Sequence, residues 1–226
     1  MPKKFVIIVA GGSGKRMNSS IPKQFLKVRG IPILMRTLLV FYKYDKKIKI
    51  ILALPEDQIP YWKKLCRTFN FTIPHDVVKG GLQRFQSVKN ALAEIKEEGI
   101  IAVHDGVRPL VSEETIDRCF KTAIKSGTAI PVIPVNDSLR MTNGQDSEMV
   151  DRSKYKIVQT PQVFKSEILL QSYHKKRYSP LFTDDASVVE MAGEKINLVD
   201  GNIENIKITT PLDIRIAESY FHADEK

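Results

Sequence analysis

The feature that most constrains this chain is its alternation of short apolar runs with stretches of helical periodicity. Phe5 to Val9 (FVIIV) is an unbroken apolar run; Ile48 to Leu54, Ile100 to His104 and Thr128 to Val135 are further largely apolar stretches that read as strands, and Ile73 to Val78 reads as a short one. Between them, Ile33 to Tyr44, Gln58 to Phe69, the stretch after GGLQRFQS and Glu113 to Lys125 carry apolar residues at helical spacing. The end of the chain reads as helices from Lys165, at Ala186 to Met191 and from Pro211, with strands at Ile196 to Val199 and Ile206 to Ile208. A strand buried on both faces shows no polar side, so strands of this kind separated by helices predict an α/β fold around a mostly parallel sheet. With 226 residues and 42% hydrophobic content, one domain spanning 1–226 with a single sizeable core is expected.

One segment interrupts the alternation. Residues 136–156, NDSLRMTNGQDSEMVDRSKYK, are polar and contain Asn143-Gly144, a strong hairpin signal. A structureless loop of that length would be unusual inside a compact domain. A protruding β-hairpin arm accounts for it better. Such an arm has little core of its own, so packing on a second subunit would stabilise it, which predicts a homodimer.

The first apolar run leads into AGGSGKRM, residues 10 to 17. This is not a Walker A loop: Val9 stands where the first glycine belongs, and Arg16 rather than Ser or Thr follows Lys15. It is not a dinucleotide fingerprint either, because Met17 occupies the third glycine position counted from Gly12 and Gly14. What remains is a glycine turn beyond a first strand, with Arg16 and, shortly after, Lys23 beside it. Glycines let backbone N–H groups approach phosphate oxygens, and paired cations suit a ligand with several phosphates.

Further polar motifs fall at the ends of other strands, where open α/β sheets bind ligands. GGLQRFQS (80 to 87) opens a helix whose N-terminal N–H groups can face an anion. HDGVRP (104 to 109) follows IIAV, VNDS (135 to 138) follows AIPVIP, and NIKITTP (205 to 211) comes near the end. Asp105 comes directly off its strand, and a lone carboxylate there fits a Mg²⁺ ion that keeps water and phosphate oxygens as its other ligands. His104 reads as a packed neighbour of the site rather than a base. Thr183-Asp184-Asp185 reads as a helix cap.

Composition narrows the partner. Lys plus Arg number 35 against 26 acidic residues, a formal charge of +9. That excess suits an anionic ligand. The cations are dispersed and form no stripe with interleaved aromatics, so a phosphorylated metabolite is favoured over nucleic acid. Cys66 and Cys119 are the only cysteines, which excludes a disulfide framework. FVIIVA is too short for a signal peptide core, and no apolar run nears the roughly 18 residues of a membrane span. A cytoplasmic protein is expected, without membrane partners. No Gly-x-Ser-x-Gly elbow supports a serine hydrolase.

Taken in order, AGGSGKRM with PKQ, GGLQRFQSV, HDGVRP, PVNDS, VDR, QTPQ, TDDAS and GNIENIKITTPLD resemble the 2-C-methyl-D-erythritol 4-phosphate cytidylyltransferase family of the non-mevalonate isoprenoid pathway. The resemblance covers nearly the whole chain. It implies a Rossmann-like sheet of the nucleotide-diphospho-sugar transferase type and a homodimer with interlocking β-arms. It also implies Mg²⁺-dependent transfer of CMP from CTP to methylerythritol 4-phosphate, with release of pyrophosphate.

Carried to this sequence, the resemblance implies that Ala10, Gly11, Gly12, Ser13, Gly14, Lys15 and Arg16 wrap the CTP phosphates. Gly81, Arg84 and Ser87, with the Ala10 backbone, meet the nucleotide, and Asp105 lies near metal and ribose. Arg16 and Lys23 stabilise charge at the α-phosphate. Asp105, Gly106, Arg108, Ser138, Arg152, Thr160 and Lys207 hold the acceptor, with Arg152 supplied by the partner's arm. Arg16, Lys23, Arg152 and Lys207 form the catalytic set. The chain departs from the family at Gly11 and Gly106, where Ala is frequent, at Ser138 for Thr, at Asn136 for a basic residue and at Glu204 for Asp. A sister ribitol 5-phosphate cytidylyltransferase would share the nucleotide loop, and a non-catalytic nucleotide-binding protein would share the fold. The cationic set Arg16, Lys23 and Lys207, with Asp105, favours an enzyme.

Overall fold

A computed structural model describes residues 2–12, 17 and 21–221. In chain order the elements are β1 (Lys3–Val9), β2 (Lys27–Val28), β3 (Ile31–Pro32), α1 (Ile33–Tyr44), β4 (Lys49–Leu54), α2 (Ile59–Thr68), β5 (Asp76–Lys79), α3 (Arg84–Leu92) and β6 (Gly99–Asp105). There follow α4 (Glu113–Ser126), β7 (Thr128–Pro134), β8 (Leu139–Asn143), β9 (Asp146–Val150), β10 (Lys156–Val158), β11 (Gln162–Lys165), α5 (Ser166–Lys175), α6 (Asp185–Met191), β12 (Leu198–Asp200) and α7 (Pro211–Tyr220).

The main sheet has the order β10-β7-β11-β6-β1-β4-β5, with β12 also paired to β7. β1 lies between β4 and β6, parallel to both, with Val9 opposite Ala53 on one side and Asp105 on the other. That central position explains the unbroken FVIIV run. Its alternate residues feed two cores: Val6 and Ile8 pack with Leu38, Phe41, Leu52 and Trp62 on one face, while Phe5 and Ile7 pack with Ile51, Phe85, Val88 and Phe164 on the other. Helices cover both faces, as the mostly parallel reading requires. The caps follow ordinary chemistry: Ser112 accepts from Thr115 N at the start of α4, and Gly127 ends it at φ 90°.

Two expectations need correction, and one strand was not foreseen. Ile206 to Ile208 is not a strand. It runs as an extended strap joined to the loop after β6 by one bond, Ile208 N to Val107 O at 2.9 Å, because it crosses that loop instead of following a strand edge. β11 was not visible in the sequence. Its four residues are too few to show a period, yet they pair antiparallel with both β6 and β7. The hairpin in 136–156 is present as β8 and β9, but its turn is Gly144-Gln145, closed by the pair Asn143 and Asp146. Gly144 has φ 64°, so the residue tolerant of positive φ takes the first turn position. Among the described residues these two strands pair only with each other.

Candidate active site

The carboxyl ends of β1, β5 and β6 lead into one cleft of about 280 Å³, lined by Ala10, Gly11, Gly12, Lys23, Gln24, Gly81, Arg84, Ser87, Asp105 and Lys207 among others. A second cavity of about 230 Å³ adjoins it and is lined by Arg108, Gln159, Thr160, Gln162, Thr183 and Asp184. Arg84, Asp105 and Lys207 line both and form the shared wall.

The floor of the first cleft is the end of β1. A Cβ on Gly12 would sit 3.1 Å from Lys23 Cε, so the absent side chain is what lets the lysine stem lie over this backbone. Lys23 opens a short 3-10 turn, Lys23–Phe25, introduced by Pro22 at φ −55°. The neighbouring Gln24 is buried, and its Nε2 donates to Ala10 O at 2.8 Å and to Gln58 Oε1 at 2.6 Å. Gln24 thereby ties the turn carrying Lys23 to the glycine loop. Ser13, Gly14, Lys15 and Arg16 lie outside the described residues.

The opposite wall is the turn into α3. Gln83 caps the helix with no side-chain bond to its first turn, which leaves the helix N-terminus directed to the cleft wall without a competing cap. Ser87 organises the turn: its Oγ accepts from Gly81 N at 3.0 Å and donates to Gln83 O at 3.1 Å. A Cβ on Gly81 would overlap Gln86 Cβ, so this turn requires glycine.

Asp105 is the electrostatic centre. Its Oδ2 lies 3.0 Å from Lys207 Nζ and 3.2 Å from Arg108 Nε, and its Oδ1 lies 3.8 Å from Arg84 Nε. Burial alone would push this carboxyl up, but Lys207 first, then Arg84 and Arg108, hold it well below the usual carboxylate range. It is therefore ionised at any working pH. Beneath it, Asp105 N donates to Thr160 Oγ1 at 3.1 Å. The Thr160 hydroxyl then donates to His104 Nδ1 at 3.0 Å, and His104 Nε2–H donates to Arg108 O at 3.0 Å. This assignment gives each hydrogen bond one proton and makes His104 a neutral imidazole protonated on Nε2. Burial, its largest influence, pushes the His104 pKa down to about 4. His104 is thus a support for Asp105, Arg108 and Thr160 and not a base.

Lys207 reaches Asp105 because the strap before it is anchored. Asn205 is fully buried, donates to Thr160 O at 2.8 Å and accepts from Arg108 Nη1 through its own carbonyl at 2.7 Å.

The remaining sequence candidates sit elsewhere. Gly106 is a packing glycine, its N–H on Val9 O at 2.9 Å and its carbonyl on Thr37 Oγ1 at 3.1 Å, with room for no Cβ beside Ala10 and Leu34. Ser138 and Arg152 are exposed near the base of the arm and line neither cavity; the Arg152 guanidinium donates to Asn136 O. Gln24, Asn205 and Asp185 are site residues that the sequence did not single out. Asp184 is the cap expected of TDD, accepting from Ser187 N at 2.8 Å, but Asp185 pairs with Arg84 Nη2 at 2.6 Å. Only the spacing of TDD to the GGLQR loop in three dimensions reveals that partnership.

Among the described residues no three His, Cys, Asp or Glu side chains gather to hold a metal ion. The single ionised carboxylate of Asp105 fits an ion that arrives on a polyphosphate and takes most of its ligands from phosphate and water.

The model of the family described as 2-C-methyl-D-erythritol 4-phosphate cytidylyltransferase matches residues 4–223. The chain belongs to this family. It is a nucleotidyltransferase. A relative from Phocaeicola vulgatus named for the same activity is 53% identical over 215 residues, covering 95% of this chain and 98% of that protein. Among solved structures, 4-diphosphocytidyl-2C-methyl-D-erythritol synthase from Anaerococcus prevotii superposes with a TM-score of 0.82 at 27% identity, covering 97% of this chain and 96% of that one. The 2-C-methyl-D-erythritol 4-phosphate cytidylyltransferase from Thermus thermophilus gives 0.78 at 30% identity, covering 96% and 98%. The Rossmann-like fold of the family is the fold described above.

Proposed function

We propose that this enzyme transfers CMP from CTP to 2-C-methyl-D-erythritol 4-phosphate, giving 4-diphosphocytidyl-2-C-methyl-D-erythritol and pyrophosphate. The observation that carries the reading is the pair of cavities joined through one wall of Arg84, Asp105 and Lys207. A nucleotidyl transfer needs two anionic ligands to meet, and cations in a common wall lower their mutual repulsion.

CTP takes the larger cleft, with its phosphates along Gly11, Gly12 and Lys23. The Ser87 hydroxyl spends its proton on Gln83 O and keeps acceptor capacity, which complements the exocyclic amine of cytosine. The acceptor takes the second cavity, its phosphate near Arg108, Thr160 and Lys207. One acceptor phosphate oxygen forms a bond to the α-phosphorus as the bond to the β-phosphate bridging oxygen breaks, and pyrophosphate leaves with that electron pair. The attacking oxygen is already ionised, so no base is required. This agrees with the neutral His104. Lys23 and Lys207 position the groups and stabilise developing charge. Mg²⁺, held by Asp105 and the triphosphate, supplies charge neutralisation when bound.

The arm bears on assembly. Met141, Met149, Tyr155 and Ile157 are exposed large side chains on or beside it, which supports a homodimer in which Arg152 reaches a partner's acceptor cavity. No helix among the described residues is long and apolar enough to cross a membrane, and a cytoplasmic location is proposed on the pathway's soluble substrates.

The test is pyrophosphate release with CTP and Mg²⁺, offering methylerythritol 4-phosphate and ribitol 5-phosphate in parallel. Preference for the first supports the reading. Preference for ribitol 5-phosphate moves the enzyme to polyol-phosphate activation with the mechanism kept, and release with neither leaves only nucleotide binding.

A further inference from the structure

Asp185 is fully buried at the first position of α6, and the cap of that helix is already supplied by Asp184. Capping therefore does not account for it. A buried carboxylate is costly unless every oxygen is paired, and here both are. Oδ1 accepts from Tyr173 Oη at 2.7 Å, and Oδ2 accepts from Arg84 Nη2 at 2.6 Å.

Both partners are themselves held. Tyr173 is buried and stacks on Phe85, the neighbour of Arg84 in α3, with centroids 4.7 Å apart and planes at 17°. The backbone of Asp185 is locked to β11: Asp185 N and Ala186 N donate to Gln162 Oε1 at 3.0 and 2.8 Å, and Gln162 Nε2 donates to Asp184 Oδ2 at 2.7 Å. β11 pairs with β6, which carries Asp105 at its end. The carboxylate therefore sits on the same rigid frame as the centre of the site.

Arg84 is a long side chain at a helix start, 27% exposed and lining the two cavities. A guanidinium is planar, so fixing Nη2 on Asp185 restricts the direction of its other donors. Its Nε is turned to Asp105, 3.8 Å away.

We propose that Asp185, oriented by Tyr173, is a positioning residue that aims the Arg84 guanidinium into the wall shared by the two cavities, where it meets phosphate groups of both substrates. The proposal deepens the functional reading above and rests on it for the identity of those substrates. It makes TDDAS a part of the transfer machinery through Arg84, with Asp184 serving the helix and Asp185 serving the site.

The test is a double-mutant cycle on kcat/KM with Asp185→Asn, Arg84→Ala and the combined variant. Asp185→Asn is expected to lower kcat/KM roughly ten- to hundredfold, the scale of a misplaced group. In the Arg84→Ala background the same change is expected to add no further loss. Losses that multiply overturn the proposal, because Asp185 would then act independently of Arg84. Tyr173→Phe keeps the ring and the ion pair and carries the same cycle should Asp185→Asn not fold. It is expected to lose a few fold alone and nothing in the Arg84→Ala background. A second readout does not depend on the substrate: the Arg84 Nε–H resonance, assigned by its loss in Arg84→Lys, is expected to be sharp in the ligand-free protein and to broaden in Tyr173→Phe. An unchanged resonance overturns the proposal even where turnover fails. Absence of turnover by the unsubstituted enzyme counts against the functional reading alone.

Discussion

Lys207 Nζ lies 3.0 Å from Asp105 Oδ2, and this pair closes the wall between the two cavities. Lys207 comes from the strap near the end of the chain and Asp105 from the end of β6. The Lys207 side chain is 44% exposed while the Asp105 carboxyl is 10% exposed, so the lysine can turn toward an arriving phosphate without moving its partner. Lys207→Met is expected to lower kcat/KM for the acceptor by about 10²–10³, the cost of removing one preorganised donor. Steady-state kinetics against both substrates checks this. An effect confined to KM for CTP would place Lys207 in the nucleotide cleft only.

His104 predicts a pH dependence of stability. Its folded pKa, about 4, is below the ordinary imidazole value of 6.5, because burial disfavours the charged ring. The neutral form is the one that fits, so its contribution is fully present above about 6.5 and is lost as pH falls toward 4. The largest loss is on the order of 3 kcal/mol. His104→Gln, which cannot protonate, is expected to show a flatter stability curve over that window in urea unfolding between pH 7 and pH 4. A curve of equal slope would mean that other groups cause the acid sensitivity.

Gln24 predicts a linked loss of position and stability. Its amide donates to Ala10 O and to Gln58 Oε1, two acceptors that would both face a carboxylate in Gln24→Glu. Thermal denaturation is expected to show about 1–3 kcal/mol of destabilisation at neutral pH. Turnover is expected to recover as pH falls and the introduced carboxyl protonates. Absence of that recovery would separate Gln24 from the placement of Lys23.

The arm predicts complementation between subunits. Arg152 lines neither cavity of its own chain. Mixing Arg152→Ala subunits with Lys23→Ala subunits, each inactive alone, is expected to restore part of the activity, since one site of a hybrid dimer would be intact. No recovery, with dimers verified by light scattering, would show that the arm serves its own chain.

Much of the fold was legible because strand and helix burial is local information. The FVIIV run names a central strand, since Val6, Ile7 and Ile8 must all be apolar when both faces are covered. The serine before Glu113 and the glycine after Ser126 bound α4 by capping chemistry alone. β11 and the strap at Ile206 were not legible, because four residues show no period and a segment tied by one bond looks, in composition, like a strand.

The same division holds in the site. By itself the sequence determined the loops that border the cleft: a parallel α/β sheet opens at its strand ends, and AGG, GGLQR, HDGVR and NIK announce themselves there as glycines and charges. Only the tertiary structure decided which charges meet. Asp105, already beside Arg108 in its own loop, gathers Lys207 and Arg84 from distant parts of the chain, Arg84 is shared with Asp185, and Gln24 joins its turn to the end of β1 and to Gln58. Ion pairs and buried hydrogen bonds depend on distances of a few ångströms that sheet order and helix packing set, and no local pattern of residues encodes those distances.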